Sequence, residues 1–154
     1  MLQNKNTKQT PVSELGEFGL IKHLTKVKDL IHNNEAIKSR LYVRYISIES
    51  SIEVYSGNIS AAIDSHEKII NTQSSFFSEQ ERLNLELNLV AYYCTAGSFG
   101  KANKILIYMN KASSYYQNKM GREWLLRKEM IRVIAQIEIG NIESSITILK
   151  TIKA

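Results

Sequence analysis

The sequence predicts an all-α fold: a short solenoid of three antiparallel helix hairpins, preceded by one or two extra N-terminal helices. Three observations carry that reading. First, an amphipathic run ends at a glycine and restarts at once as a second such run at Tyr55-Ser56-Gly57-Asn58-Ile59, Ala96-Gly97-Ser98-Phe99 and Ile139-Gly140-Asn141-Ile142, with the glycines 40 and 43 residues apart. Glycine takes the left-handed backbone that closes one helix, an Asn or Ser after it is a candidate cap for the next, and self-similarity at this period marks stacked hairpins. Second, one Pro and seven Gly in 154 residues, 44% of them hydrophobic, favour long helices around one core over turn-rich β structure. Third, apolar side chains recur at three- and four-residue spacing, one face of a helix.

Taken in order, residues 1–10 form a polar lead without aromatics, expected to be disordered. Residues 11–34 form an N-terminal helical segment. Its first helix starts near Pro11-Val12-Ser13-Glu14, with Ser13 as cap, and runs to about Thr25; a short apolar stretch, Val27 to His32, follows and ends at Asn33-Asn34. The repeat domain occupies 35–154. Helix A of its first unit spans about 35–56, with Leu41, Tyr45, Ile48, Ile52 and Tyr55 as the apolar stripe, and helix B runs from Ile59 to Asn71 with Ala62, Ile63, Ile69 and Ile70 inward. The second unit pairs Ser78–Ala96, opened by a Ser78/Glu81 capping box, with a single helix Phe99–Tyr116. The third pairs Lys119–Ile139 with Ile142–Ile152, and residues 72–75 and Gln117-Asn118 are the loops between units. In the last helix Ile142, Ile146 and Leu149 are expected to bury against their own helix A, with Ile148 and Ile152 turned partly elsewhere. Such an open apolar end implies self-association through the C-terminal helix, or a fragment of a longer array.

Leu89, Tyr93, Gly97, Phe99, Ala102 and Leu106 stand where the tetratricopeptide-repeat (TPR) family places its large, large, glycine, aromatic, small and large residues, and the chain over about 35–153 resembles that family. The small position recurs as Ala62, Ala102 and Ser145, where two helices would cross closely. Departures are a period longer than the family's usual ~34 residues, no helix-closing proline, and Glu53 and Gln136 in place of the aromatic at Tyr93. Leu41–Asn58 and Gly121–Lys153 also resemble the C-terminal part of long, uncharacterised bacterial helical-repeat proteins, which brings no known activity. The resemblance implies a TPR-like module that binds a peptide or protein along its helix A surface.

A second resemblance covers residues 10–26. Ser13-Glu14-Leu15-Gly16-Glu17-Phe18-Gly19-Leu20-Ile21 resembles the opening of bacterial thiamine-monophosphate kinases. In that family the segment leads into an ATP-using domain whose Gly-Asp-Asp-Ala type motif holds magnesium, and no such motif or paired aspartate follows here. Two accounts stay open: a kinase start joined near Lys26 to part of a repeat protein, giving a truncated or chimeric kinase without its catalytic domain, or an ordinary N-terminal helix of coincidental similarity.

Nothing else in the sequence assembles catalytic chemistry, so the chain is expected to be no enzyme, with no catalytic, cofactor-binding or metal-binding residues. His23, His32 and His66 form no i, i+4 ligand pair and there is no Cys-x-x-Cys. His66 sits at a buried position of the repeat and reads as structural. Cys94, the single cysteine, rules out an internal disulfide and reads as an inert core thiol in a reducing compartment. The polar start and the lack of any long apolar run lead to an expectation of a cytoplasmic protein that does not engage a membrane. The net charge is +5, and Lys101, Lys104, Lys111, Lys119, Arg122, Arg127, Lys128 and Arg132 interleave with Tyr108, Tyr115, Tyr116 and Trp124. That could bind nucleic acid. A solvated helix face with aromatics turned to the core is the favoured reading, so nucleic acid is the disfavoured partner. By fold analogy the candidate partner-binding residues are Arg44, Glu49, Asn84, Asn88, Arg127 and Arg132.

Overall fold

A computed structural model describes residues 23, 26–31, 35–72 and 77–153. Among them every regular element is a helix and there is no strand. A helical stretch at 26–31 is followed by α1 (Glu35–Tyr55), α2 (Ile59–Thr72), α3 (Glu79–Thr95), α4 (Phe99–Tyr108), α5 (Ser113–Met120), α6 (Arg122–Glu138) and α7 (Ile142–Lys153). None of the described helices is long and apolar enough to cross a membrane. Contacts group the chain into two units, Met1–Tyr45 and Ile46–Ala154, the division falling within α1. In the first unit Ile31, Val43 and Tyr45 are buried. The polar lead, the Ser13-capped helix and the kinase-like segment lie outside the described residues, His23 and Lys26 excepted.

In the second unit the three expected glycine turns share one geometry. Gly57, Gly97 and Gly140 have φ of 81°, 69° and 81°. Each glycine N–H donates to the carbonyl three residues back (Val54, Cys94, Ile137) at 2.9–3.0 Å, and the next N–H donates to the carbonyl five back (Glu53, Tyr93, Gln136) at 2.7–2.8 Å. That pair of bonds is the Schellman closure, and it satisfies helix-end carbonyls that would otherwise be orphaned. The residues after the glycines behave differently from simple caps. Ser98 makes no side-chain cap bond, while Asn58 Nδ2 and Asn141 Nδ2 each donate back at 2.8 Å, to Glu53 Oε2 and Gln136 Oε1. A polar contact therefore stands where an apolar one usually accompanies the motif. The Ser78/Glu81 capping box opens α3 as expected.

α2 packs on α3, α3 on α4, both α3 and α4 on α6, α5 on α6, and α6 on α7. The core between them gathers Leu87, Val90, Ala102, Leu106, Tyr116 and Trp124. Ala62 and Ala102 are fully buried and Ser145 is nearly so, as the small positions were expected to be.

Four expectations need correction. The expected helix Phe99–Tyr116 is two helices, α4 and α5, broken at Met109–Ala112; Gln117 and Asn118 lie inside α5, and the turn into α6 is made by Gly121 at φ 90°. The break lets Tyr116 stack on Trp124 at 5.6 Å while Tyr115 reaches back to Glu79 on α3. In α1 the expected stripe is mostly outward: Leu41, Ile48 and Tyr55 are exposed, and the buried positions are Val43, Tyr45, Ile46 and Ser50. Apolar residues surround this helix, so spacing alone does not select a face. Lys128 belongs to no solvated face; it is buried and paired at 2.7 Å with Glu129, also buried, and its Nζ lies 4.6 Å from the Tyr116 ring centre. In α7 the buried side is the reverse of expectation, with Ile148 inside and Ile142, Ile146 and Leu149 exposed.

Candidate functional site

Gln80, Asn84 and Asn88 follow one another at four-residue intervals along α3 and so share one stripe of the helix. Each reaches the α5–α6 segment about 40 residues on. Gln80 Nε2 donates to the Lys119 carbonyl at 2.8 Å, Trp124 Nε1 donates to Asn84 Oδ1 at 2.9 Å, and an Arg127 guanidinium nitrogen donates to Asn88 Oδ1 at 2.9 Å. The three form a ladder across the α3–α6 seam. At its foot Glu79 receives Lys111 and Lys119, each at 3.1 Å, and the Tyr115 hydroxyl. The Tyr115 hydroxyl first, then the two ammonium groups, pull the Glu79 carboxyl down to about 2. An amide has two donors and an acceptor with two lone pairs, so one inward bond per rung leaves hydrogen-bonding capacity for a bound backbone.

The six residues singled out from sequence fall in different places. Asn84, Asn88 and Arg127 are brought together in the ladder. Arg132, further along α6, lies 3.7 Å from Glu129. Glu49 is half-buried on α1, and Arg44 is exposed on the part of α1 that belongs to the first unit. Sequence reasoning missed Gln80 and the inward bonds of the asparagines; the four-residue recurrence of amides was the available signal. Of the interleaved aromatics, Tyr116 and Trp124 are core while Tyr108 is exposed.

A second constellation is a buried Ser–His pair. Ser50 Oγ lies 3.0 Å from His66 Nδ1, and Tyr92 stands edge-on to the imidazole at 5.0 Å. A hydroxyl on an imidazole is the geometry of a nucleophile and its base. Here both side chains are 0% exposed, so no substrate reaches Oγ. Burial lowers His66 to about 4, holding it neutral, and its Nε2 finds no partner among the described residues. Cys94 is half-buried, and burial pushes its thiol up, away from the reactive thiolate. Among the described residues no group of three or more His, Cys, Asp or Glu is placed to hold a metal.

A cleft of about 360 Å³ opens between α5, α6 and α7, lined by Gln117, Arg122, Leu126, Glu129, Thr151 and Ile152 among others. It sets the end of α7 beside the start of α6. Comparison of the chain with protein-family models, with curated proteins and with solved structures returns no match.

Proposed function

We propose that the chain is a non-enzymatic interaction module of TPR-like type, holding a peptide or a partner protein along the seam where α3 meets α6. The amide ladder of Gln80, Asn84 and Asn88 is the observation that carries this reading: it lines up polar side chains one helical turn apart on an accessible surface. Regularly spaced amides fixed by their own bonds present hydrogen-bonding groups with little rotamer entropy left to lose on binding. Arg127, tied to Asn88 yet exposed, adds a charge that suits an acidic side chain or a terminal carboxylate. The consecutive glycine-closed hairpins support a solenoid whose A helices present this seam.

Selection of binders from a displayed random-peptide library tests the reading. Recovered peptides should lose at least ~5-fold in affinity to Asn88→Ala and Arg127→Ala, with helicity by circular dichroism unchanged. A library that yields no binder above background, or binders indifferent to both substitutions, would overturn it.

A further inference from the structure

The orientation of each amide in the α3–α6 ladder is fixed by the chemistry of its partner. Tryptophan and arginine side chains only donate, so Asn84 and Asn88 turn Oδ1 inward, to Trp124 Nε1 and to Arg127, each at 2.9 Å. The Lys119 carbonyl only accepts, so Gln80 turns Nε2 to it at 2.8 Å. Outward, Gln80 is left with an acceptor, Oε1, whereas Asn84 and Asn88 are left with their Nδ2 donors. Among the described residues neither Nδ2 is bonded, and neither is a buried orphan. Arg127 is exposed and makes no ion pair among the described residues, so its remaining N–H groups stand free beside Asn88 Nδ2.

Donors set beside a fixed positive charge match a carboxylate, which accepts at both oxygens. A phosphoryl group, with nearly two charges, calls for more cation than Arg127 alone, and Lys111 and Lys119 are engaged by Glu79 at 3.1 Å. Glu123, exposed and one turn before Arg127, adjoins Trp124 and so stands at the level of Asn84. It disfavours a second anion there, and a neutral carbonyl suits Asn84 Nδ2 instead. Carbonyls free to accept belong to extended backbone, because a helix uses its own. Rungs four residues apart on a helix lie about 6 Å apart and alternate residues of an extended chain about 6.7 Å apart, so the two keep step over three rungs. Past Asn88 the same stripe of α3 continues through half-buried Ala91 and exposed Thr95, side chains too small to stop a chain at the seat. We propose that the partner is an extended peptide segment with an internal aspartate or glutamate, its carboxylate held between Asn88 Nδ2 and Arg127 and a main-chain carbonyl on Asn84 Nδ2. Such selectivity rests on the reading of the α3–α6 seam as the binding surface, and experiment separates the two.

Random peptides with amidated C-termini, selected on the full chain, are the probe. Binders should share an acidic residue, and exchanging it for asparagine or glutamine should weaken a binder ~10-fold. On Arg127→Gln the acidic and amide forms of the peptide should bind equally, which identifies Arg127 as the group that reads the charge. Asn88→Asp keeps the oxygen that Arg127 bonds and turns the outward donor into an acceptor. With helicity unchanged by circular dichroism, it should weaken the acidic peptide more than Asn88→Ala does, and a lysine at the acidic position should now bind better than the acid. Binders that depend on Asn88 and Arg127 but share no acid, or whose acid becomes an amide at no cost, would overturn the proposal and leave the binding surface standing. Peptides that bind only through a free C-terminal carboxylate, or more tightly with phosphoserine in place of the acid, would do the same. The absence of any binder would overturn both.

Discussion

Where the first hairpin packs toward α3, the buried contacts include a hydroxyl and an imidazole, Ser50 on His66, with Tyr92 standing edge-on to the ring. Where α3 and α4 pack against α6, Leu83, Leu87 and Leu106 close over Tyr116 and Trp124 instead. Both hairpins turn through the same Schellman geometry at Gly57 and Gly97. Turn geometry and core chemistry are thus independent: the backbone closure repeats while the buried Ser50–His66 pair of the first hairpin has no counterpart in the Leu83, Leu87 and Leu106 cluster of the second. The Ser–His pair specifies its partners through hydrogen-bond geometry and, among the described residues, leaves His66 Nε2 unmatched, whereas the leucine cluster relies on volume and shape. The two should therefore fail under different perturbations.

The largest expected effect is at the apolar junction. Leu87 is fully buried, and Leu87→Ala removes its transfer energy and leaves a cavity beside Trp124, a loss of about 2–5 kcal/mol. Urea unfolding measures it directly. A loss well under that range would mean that α6 does not depend on α3 for its packing.

Acid should act on the polar junction. His66 has a folded pKa of about 4 against 6.5 for an ordinary histidine, so the unfolded chain takes up its proton first as pH falls. The stability carried by the neutral imidazole is complete above about 6.5 and drains away as pH drops toward 4, by roughly 3 kcal/mol in all. The Glu79 carboxyl, also depressed, adds a loss in the same direction at lower pH, below the ordinary carboxylate range. Replacing the pair with Ser50→Ala and His66→Leu should flatten the pH 4–6.5 part of the stability profile and leave the lower part in place. An unchanged slope would show that other groups carry the acid sensitivity.

The smallest effect compares the two junctions at their common small residue. Ala62 and Ala102 are both 0% exposed, so Ala62→Leu and Ala102→Leu should each cost about 1–3 kcal/mol by overpacking. Ala61→Leu, at a half-buried neighbour, should cost less. If all three thermal shifts are equal, the crossings are not close and the parallel between the hairpins fails.

What could be read from sequence was local. A glycine at the end of an apolar run followed by Asn or Ser implies a left-handed residue and a closed helix, because the cost of φ > 0 is paid within one residue. The all-helical class and the three turns follow from such short-range rules, whereas the buried small positions at 62, 102 and 145 came from the resemblance to the TPR pattern. Orientation did not follow. α7 carries isoleucines on more than one side, so its periodicity fits two burials, and the position of α6 selects Ile148 over Ile142, Ile146 and Leu149. The same holds for Lys128, which sequence places on a solvated face and packing puts beside Tyr116 and Glu129. The amides of α3 look free in sequence because their partners stand some 40 residues away. Short-range sterics are written in neighbouring residues; which face of a helix meets another element depends on where that element lies, and only the tertiary structure decides it.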